Sequence, residues 1–539
     1  MSSNFEFKKG EGLYYGDEFV SEFDNQIQEV IKTVIMEDEK FNEKKIFVIG
    51  IINKAGESLS PARFTDLNKI DYFSTWHEIT DADLSCTSKR LLKLRLQQTA
   101  RYTKERVQII CNKAGIYKYS GQAFLVLGDK YFLKDETLLP IDIVIGEELK
   151  RYQWQESQGY EQEIGQYFDF LMNIAPNVSE ILTYAVLLAV VKPFFTEAGM
   201  IPEFCVNLYG KSGSRKTSLV KALSDMIISQ ELILGSFIND RRNLILRRKE
   251  QAYGFPFILD DYHPAESSND LKKQNAIMDS VIRSMESKKN SSMVIMTSEF
   301  LEGSYSLQDR MLQVEMQEVD LEKLKQLQNA KGSMAKLTQD LVQTLMQNYD
   351  EVIEFIKHEN SLVLLKDAET RVERHGVFLM IVAKLCTKYL LKGDTNIEMK
   401  LKQALDFQAD IQRKHLIQIK KYQDSGDYVI AVHDMLSTDI MEFIQDEMEK
   451  GQSDKKYQYK NNQVYRKDKM FYITKAALKY GMRRFLKQSS VNIEKIITEL
   501  QDADILLEDK DASTKKFKGK RHLCISIPEL ENYVEFANT

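Results

Sequence analysis

Apolar and polar residues alternate in blocks along the middle of the chain, and the blocks predict a parallel sheet. Short apolar runs stand at 204–209, 255–261, 292–298 and 311–316, with helical segments between them. Runs this short, rich in β-branched and aromatic residues, are typical of buried strands. Strands that alternate with helices are typical of parallel sheets with crossover helices. We therefore predict an α/β core over residues 201–330.

The regions on either side of this core have different patterns. Residues 1–150 mix a helical segment with short apolar runs, which predicts an N-terminal α+β domain. The strands expected there lie at 45–52, 107–111 and 123–128. Two further regions, 151–200 and 331–425, are helical in composition.

The last region, residues 426–539, predicts a winged helix. Four apolar residues have the spacing i, i+3, i+4, i+7 of a helix face: Ile493, Ile496, Ile497 and Leu500. A charged, hairpin-like stretch follows at 506–527. Helix, helix and a two-stranded basic hairpin, in that order, are the parts of a winged-helix domain.

Composition limits the classes of function. The chain has 539 residues, of which 29% are charged and 43% apolar, and its net charge is -6. That length predicts several domains, and the acidic balance excludes a protein that coats nucleic acid generally. Any nucleic-acid binding must come from local basic patches or a lined channel.

The sequence favours a cytoplasmic protein with no membrane span. Its most apolar stretch, 181–191, ends at Lys192 and Pro193, well short of the roughly 20 residues that a span needs, so we expect a buried helix there. The N-terminus has no apolar signal-peptide region. The cysteines form no C-x-x-C pair and are expected to be reduced thiols: Cys86, Cys111, Cys205, Cys386 and Cys524.

A phosphate-binding loop follows the first core strand. The stretch NLYGKSGSRKTSLVKAL, 207–223, matches G-x-x-x-x-G-K-[ST] except that Arg215 replaces the second glycine. Backbone N–H groups and the helix N-terminus would bind phosphates, and an arginine is tolerable if its φ stays negative and its side chain points outward. The predicted nucleotide-binding residues are Gly210, Gly213, Ser214, Arg215, Lys216, Thr217 and Ser218.

Polar residues at the ends of the next strands complete a catalytic set. Asp260 would hold Mg²⁺ together with the Thr217 hydroxyl, and Asp261 would activate the attacking water. Thr297 and Ser298 are candidates to bind the γ-phosphate at the following strand tip, with Ser298 slightly favoured. Lys216 would reach the β- and γ-phosphates of ATP.

Arginines beyond these strands are further candidates. Arg310 precedes the last core strand and could reach the nucleotide of a neighbouring subunit; otherwise it forms a surface ion pair. Arg371 or Arg374, at the start of a later helix, could close over the phosphates.

The order of these parts is similar to that of AAA+ ATPases. The paired acids and the flanking helices resemble the superfamily III and minichromosome-maintenance-like helicases, in particular the replicative helicases of mobile elements such as staphylococcal cassette chromosomes. The resemblance covers roughly residues 200–320. It implies a self-loading hexamer, with ATP and Mg²⁺ as cofactors, that moves on single-stranded DNA. Arg215 and the absence of an asparagine at 297–298 depart from the family pattern.

Basic residues are candidates for DNA contacts. Lys288 and Lys289 lie where such families carry a pore hairpin. The predicted wing contributes a second basic group, which could bind duplex phosphates: Lys515, Lys516, Lys518, Lys520 and Arg521.

Two other functions remain open at this point. One is a non-helicase AAA+ ATPase with a regulatory or antiviral defence role. The other is a small-molecule phosphotransferase, which rarely carries paired strand-end acids and seldom needs a chain of this length.

Overall fold

The computed structural model describes most of the chain. The described residues are 4–37, 40–77, 84–135, 141–156, 159–160, 163–262, 268–287, 291–299, 310–364, 371–391, 396–424, 428–438, 440–445, 462–486, 491–507, 514–517 and 520–537. They form two compact units, one of residues 1–154 with 346–349 and one of residues 155–345 with 350–539.

The first unit combines strands and helices, as expected for an α+β domain. Its described strands are β1 (Phe5–Lys8), β2 (Gly12–Tyr15), β3 (Glu18–Ser21), β4 (Asp24–Glu37), β5 (Lys40–Ile52), β6 (Ala62–Phe64), β7 (Glu105–Cys111), β8 (Gly115–Tyr119), β9 (Gln122–Leu127), β10 (Lys130–Leu133) and β11 (Ile141–Ile145). Its described helices are α1 (Tyr72–Thr75), α2 (Cys86–Tyr102) and α3 (Glu147–Lys150). The sheet orders are β1-β2-β3, β10-β9-β8 and β11-β7-β4-β5-β6. The three predicted strands occur as β5, β7 and β9.

The long hairpin β4–β5 and helix α2 carry the core of this unit. Val20, Ile49 and Leu92 belong to one buried apolar cluster. Arg95 of α2 donates two hydrogen bonds, of 3.0 and 2.9 Å, to the buried carboxylate of Asp24 at the start of β4. This paired geometry compensates the burial of the charge and fixes the helix on the sheet.

The second unit begins with two helices and continues into a sheet of parallel strands with crossover helices. The described elements are α4 (Ile164–Met172), α5 (Ser179–Glu197), β12 (Cys205–Tyr209), α6 (Lys216–Leu223), a 3₁₀ turn (Gln230–Ile233), β13 (Leu234–Ser236), α7 (Arg242–Gln251), β14 (Phe257–Tyr262), α8 (Ser268–Ser287), β15 (Val294–Ser298) and β16 (Met311–Glu315). The four predicted core strands occur as β12, β14, β15 and β16, so the predicted parallel sheet is confirmed. Strand β13 was not predicted.

The strand order β13-β14-β15-β12-β16 places a ligand crevice at the end of β12. From β12 the chain crosses to β13 at the far edge and returns strand by strand to β15, beside β12. It then places β16 on the other side of β12. Loops that leave neighbouring parallel strands in opposite directions open a crevice at the carboxyl ends of those strands. The loop at 210–215 starts at this point.

Helices follow the parallel sheet. They are α9 (Leu321–Asn329), α10 (Ser333–Gln347), α11 (Tyr349–Leu364), α12 (Arg371–Tyr389) and α13 (Asn396–Asp424). Helices α12 and α13 pack against β16 and against α5. The helical composition expected of 331–425 is thus present in its described residues.

Helix α5 is the central buried helix of this unit, as predicted for 181–191. Among the described residues it is the one helix long and apolar enough to cross a membrane, and 94% of its apolar window is buried inside the structure. Its Lys192 is fully buried, and no hydrogen bond to Nζ is present within the described parts of the chain. Burial, reinforced by nearby Lys249, lowers the pKa of Lys192 from 10.5 to about 7.

The C-terminal part joins four helices to a five-stranded sheet. The elements are α14 (Tyr428–Leu436), β17 (Glu442–Gln445), β18 (Gln463–Lys467), β19 (Met470–Ile473), α15 (Lys475–Phe485), α16 (Ile493–Asp502), β20 (Lys515–Phe517), β21 (Lys520–Ser526) and α17 (Ile527–Ala537). The predicted apolar face of α16 is buried at all four positions. Strands β20 and β21 pair as an antiparallel hairpin after α15 and α16, as a winged helix requires; that name for the domain stays a prediction.

Replacing Lys192 by methionine should stabilise the protein at pH 7. A folded-state pKa this far below 10.5 means that burial of the charge opposes folding by an amount on the order of a few kcal/mol. Methionine keeps the length of the side chain without the charge. We expect a higher midpoint in thermal unfolding followed by calorimetry, whereas Lys325→Met, at an exposed position of α9, should leave it unchanged.

The advantage of the Lys192→Met variant should shrink between pH 7 and 10.5. In this window the unfolded chain holds a proton that the folded chain has released, so the stability of the wild type rises with pH. The variant lacks that rise. If the two proteins differed in stability by the same amount at pH 7 and at pH 10.5, the lowered pKa of Lys192 would be contradicted.

Candidate nucleotide site

The loop between β12 and α6 has the backbone of a phosphate cradle. A Cβ atom at Gly210 would lie 2.9 Å from Cβ of Met316, so only glycine fits that close approach. Gly213 has φ +80°, a left-handed conformation that glycine adopts at no steric cost. Helix α6 begins directly after the loop, so its unpaired N–H groups face the cavity described below.

Arg215 departs from the prediction. Its φ is +68° and its ψ is 16°, so the negative φ given above as a condition for tolerating an arginine is not met. The loop needs a left-handed residue immediately before α6, which is the position where the motif normally has glycine. A side chain in this conformation costs roughly 1–2 kcal/mol. Arg215 is exposed to solvent, and it also borders the cavity described below.

Lys216 folds back over its own loop. Its Nζ donates to the carbonyl oxygens of Gly210 and Lys211 at 2.8 and 2.9 Å. Burial lowers the pKa of Lys216 below its ordinary value, although the carboxylates of Glu299 and Asp261 act in the opposite direction. The ammonium group therefore lies within the loop, and a phosphate oxygen could replace the two carbonyl oxygens that it now contacts.

A β-bulge delivers the two acids to the same edge of the sheet. Leu259 pairs with Met296 and Tyr262 with Ser298, so two residues of β14, Asp260 and Asp261, stand opposite one residue of β15. Tyr262 is fully buried and packs edge-to-face on Phe237 with ring centroids 5.0 Å apart. The bulge is thus held in place by a packed aromatic side chain.

The Asp260 carboxylate joins strands β14 and β15 to the start of helix α6. Its Oδ1 accepts a hydrogen bond of 2.6 Å from Thr217 Oγ1 at the start of α6. The same oxygen accepts a second bond of 2.6 Å from Thr297 Oγ1 at the tip of β15. Two hydroxyl groups, 43 and 37 positions from Asp260 in sequence, therefore meet at one oxygen atom.

Asp261 lies in the left-handed region, with φ +65°. Its backbone N–H donates to Thr297 Oγ1 at 3.1 Å, and its exposed carboxylate borders the cavity. Non-glycine residues held at positive φ concentrate where the surrounding structure over-determines them, often at functional sites.

Thr297 and Ser298 make different contacts. Thr297 bonds to Asp260, as described above. The buried Ser298 donates to Asn207 Oδ1 at 2.9 Å, and Asn207 donates to Gln313 Oε1 at 2.7 Å. Ser298 thus belongs to a polar row across β15, β12 and β16, while it also borders the cavity.

These residues enclose a cavity of about 240 Å³ at the carboxyl edge of the sheet. The residues that line it are Ser212, Gly213, Arg215, Lys216, Thr217, Ser218, Asp261, Tyr262, Thr297, Ser298 and Glu299. The structure thus brings together the phosphate loop, one of the two acids and both strand-tip candidates; Asp260 bonds to two of the lining residues.

Oxygen ligands suitable for Mg²⁺ are present in this cluster. Mg²⁺ prefers hard oxygen ligands and keeps several waters, so one or two protein oxygens suffice when phosphates supply the rest. The Thr217 hydroxyl and the Asp260 carboxylate are adjacent oxygens of this kind. Within the described residues, no group of three or more His, Cys, Asp or Glu side chains could hold a metal ion.

Other predicted residues lie elsewhere. Arg310 precedes β16 at the end opposite the cavity, where its carbonyl oxygen accepts from the Cys205 N–H. Arg374 is exposed on α12. Lys288 and Lys289 lie outside the described residues.

The basic residues of the predicted wing fall on the β20–β21 hairpin. Lys515 and Lys516 are on β20, while Lys520 and the exposed Arg521 are on β21. Lys518 lies outside the described residues.

Two charged residues at the cavity, Glu299 and Arg484, were not predicted from the sequence. Glu299 follows β15 directly and lines the cavity. Arg484, near the end of α15, donates to Glu299 Oε2 from Nη2 at 3.1 Å. The sequence offers no signal for this pair, because 185 residues separate its members and each sits in an ordinary charged stretch.

Comparison with known proteins gives a weak structural likeness to this chain. No protein-family model matches the sequence, and no curated protein matches it. A solved structure titled "SCCmec type IV Cch - active helicase" is similar over 98% of this chain and 99% of that chain, with 15% identity and a TM-score of 0.42. Values this low do not transfer a function from that protein to this one.

Replacing Arg215 by glycine should stabilise the protein. Glycine removes the left-handed strain of roughly 1–2 kcal/mol, and its entropic cost of about 0.5–1 kcal/mol offsets only part of that gain. Calorimetry should show a small rise in the unfolding midpoint.

The matched control is Arg247→Gly, at an exposed position inside α7. There glycine should destabilise by about 1 kcal/mol, because the helix interior disfavours it. Equal losses of stability in the two glycine variants would show that residue 215 carries no backbone strain.

Proposed function

We propose that this chain is an ATP hydrolase of the AAA+ kind that drives movement along single-stranded DNA, and hence a DNA helicase. The observation that carries the ATPase part is the 2.6 Å contact between the phosphate-loop residue Thr217 and the strand-end residue Asp260. It joins the two halves of a nucleotide site at the switch point of a parallel sheet.

The roles of the residues follow from their positions. Lys216 would exchange the carbonyl oxygens of its own loop for the β- and γ-phosphate oxygens of ATP, and the N–H groups at the start of α6 would bind the same anion. Asp261 would orient the attacking water and accept its proton. Magnesium, held by Thr217 and Asp260, would neutralise charge on the phosphates.

Thr297 would keep the Asp260 carboxylate in place while nucleotide binds. Its hydroxyl group donates to that carboxylate and accepts from the Asp261 N–H, so it ties both acids to the tip of β15. Ser298 would bind the γ-phosphate and the attacking water through its hydroxyl group. Fixed groups of this kind lower the reorganisation needed in the transition state.

Arg310 supports an oligomeric enzyme. It lies at the amino end of β16, across the sheet from its own cavity. An arginine there would stabilise charge on the γ-phosphate only in a neighbouring subunit. We therefore propose a closed homo-oligomer, most simply a hexameric ring, in which each subunit completes the site of the next.

The proposal for DNA rests on local charge. The net charge of -6 opposes general nucleic-acid binding. Lys288 and Lys289 would line the ring and grip the strand, and the residues Lys515, Lys516, Lys518, Lys520 and Arg521 would contact duplex phosphates. A self-loading replication initiator of a mobile element fits this set of parts.

The test is ATP hydrolysis by the purified protein with and without single-stranded DNA, in a species of measured mass. DNA-stimulated hydrolysis in a ring-sized species would support the helicase. Hydrolysis without a response to DNA would support a non-helicase AAA+ ATPase, and phosphate transfer to a small acceptor would support a phosphotransferase.

Two variants should separate binding from hydrolysis. Lys216→Ala should abolish hydrolysis and weaken binding of a fluorescent ATP analogue, because the loop loses its main phosphate cation. Asp261→Asn should lower the turnover rate at least a hundredfold while binding persists. Lys221→Ala, further along α6, is the control and should behave as the wild type; wild-type turnover in Lys216→Ala would refute the site.

Arg310→Ala should also abolish hydrolysis while leaving ATP binding intact. If the arginine acts on a neighbouring subunit, mixing this variant with Lys216→Ala should restore part of the activity. In mixed rings, a Lys216→Ala subunit supplies Arg310 to an intact site on its neighbour. Oligomers that mix, as judged by mass, but regain no activity would contradict a role across the subunit boundary.

A further inference from the structure

The ion pair between Arg484 and Glu299 connects the C-terminal part of the second unit to the wall of the cavity. Both side chains are largely buried, with 24% and 18% of their surface exposed. The Arg484 guanidinium also lies over the Tyr480 ring, 4.8 Å from its centroid. Two contacts therefore hold this cation of α15 at the wall of the cavity.

The charges at the cavity explain why a cation is needed there. Apart from Arg484, the charged side chains among the described residues that line the cavity or bond to its lining are Arg215, Lys216, Asp260, Asp261 and Glu299. Two cations thus face three carboxylates. Arg484 restores the balance, and its charge reaches far enough to oppose protonation of Lys216.

Binding of a triphosphate changes this balance. Even with magnesium bound, ATP brings net negative charge into a cavity whose wall carries Glu299. The phosphate oxygens then repel that carboxylate and compete with it for the guanidinium. Arginine is suited to the exchange, because its planar fork binds phosphate and carboxylate with the same geometry.

We propose that Arg484 is a nucleotide-sensing residue that leaves Glu299 for the γ-phosphate of ATP bound to the same chain. This rests on the proposed nucleotide site. Without nucleotide, Glu299 holds α15 against the cavity wall; with ATP, the phosphate holds it; with ADP, the guanidinium returns to Glu299. The position of α15, and of the sheet that carries the β20–β21 hairpin, thereby depends on the state of the nucleotide.

The experiment measures the affinities of fluorescent ATP and ADP analogues for the full-length protein and its variants. Arg484→Ala should weaken ATP at least tenfold and ADP much less, because only ATP has the γ-phosphate. Arg484→Lys should recover part of the loss. Lys479→Ala, which removes an exposed charge from the same helix, should change neither affinity.

Glu299→Gln keeps the shape of the pair, and its expected effect on ATP affinity is opposite to that of Arg484→Ala. It should tighten ATP severalfold, because the competing carboxylate is gone. If the ion pair only stabilised the fold, Arg484→Ala and Glu299→Gln would instead weaken ATP binding to the same extent.

The outcomes separate the two proposals. Failure of the wild type to bind either analogue overturns the nucleotide site and the role of Arg484 together. Binding by the wild type that Lys216→Ala weakens but Arg484→Ala leaves unchanged overturns the role of Arg484 alone. Equal weakening of ATP and ADP in Arg484→Ala would also contradict a contact to the γ-phosphate.

Discussion

The candidate site depends on one hydrogen bond, from the Thr217 hydroxyl to the Asp260 carboxylate. A bulge in β14 brings a second acid, Asp261, to the same strand end beside Asp260. The bulge in turn depends on the buried Tyr262 and on the strand order that brings β14 and β12 to the two sides of β15. The strand order of the sheet therefore positions the two side chains that form this contact.

Two of the six non-glycine residues with positive φ in the described part of the chain lie at this edge of the sheet. These two residues, Arg215 and Asp261, both line the cavity. Buried charge adds a second energetic cost, since Lys216 and Glu299 are held close to each other in a partly enclosed space. A protein tolerates such costs where surrounding packing over-determines the geometry, and here α5 and the central strands provide that packing.

The strands of the parallel sheet could be predicted from the sequence because the patterns that indicate them are local. Short apolar runs bounded by glycine or acids identify β12, β14, β15 and β16, and the spacing of the loop identifies Lys216. Strand β13 was missed, since three residues around Gly235 carry no apolar pattern.

The remaining features could not be read from the sequence, because they arise from tertiary structure. The φ of Arg215 is imposed by the loop and not by its own preference. The choice of Thr297 as the partner of Asp260 follows from the bulge register, which no pattern of residue types reveals. Arg484 meets Glu299 only because separate parts of the second unit pack together.

The most direct test of the account is an equilibrium titration of ATP into the wild-type protein, with and without Mg²⁺, followed by calorimetry. We expect saturable binding of one ATP per chain that tightens markedly when Mg²⁺ is present and loses this dependence in Asp260→Asn. Absence of binding at millimolar ATP, or binding of equal strength with and without Mg²⁺, would contradict it.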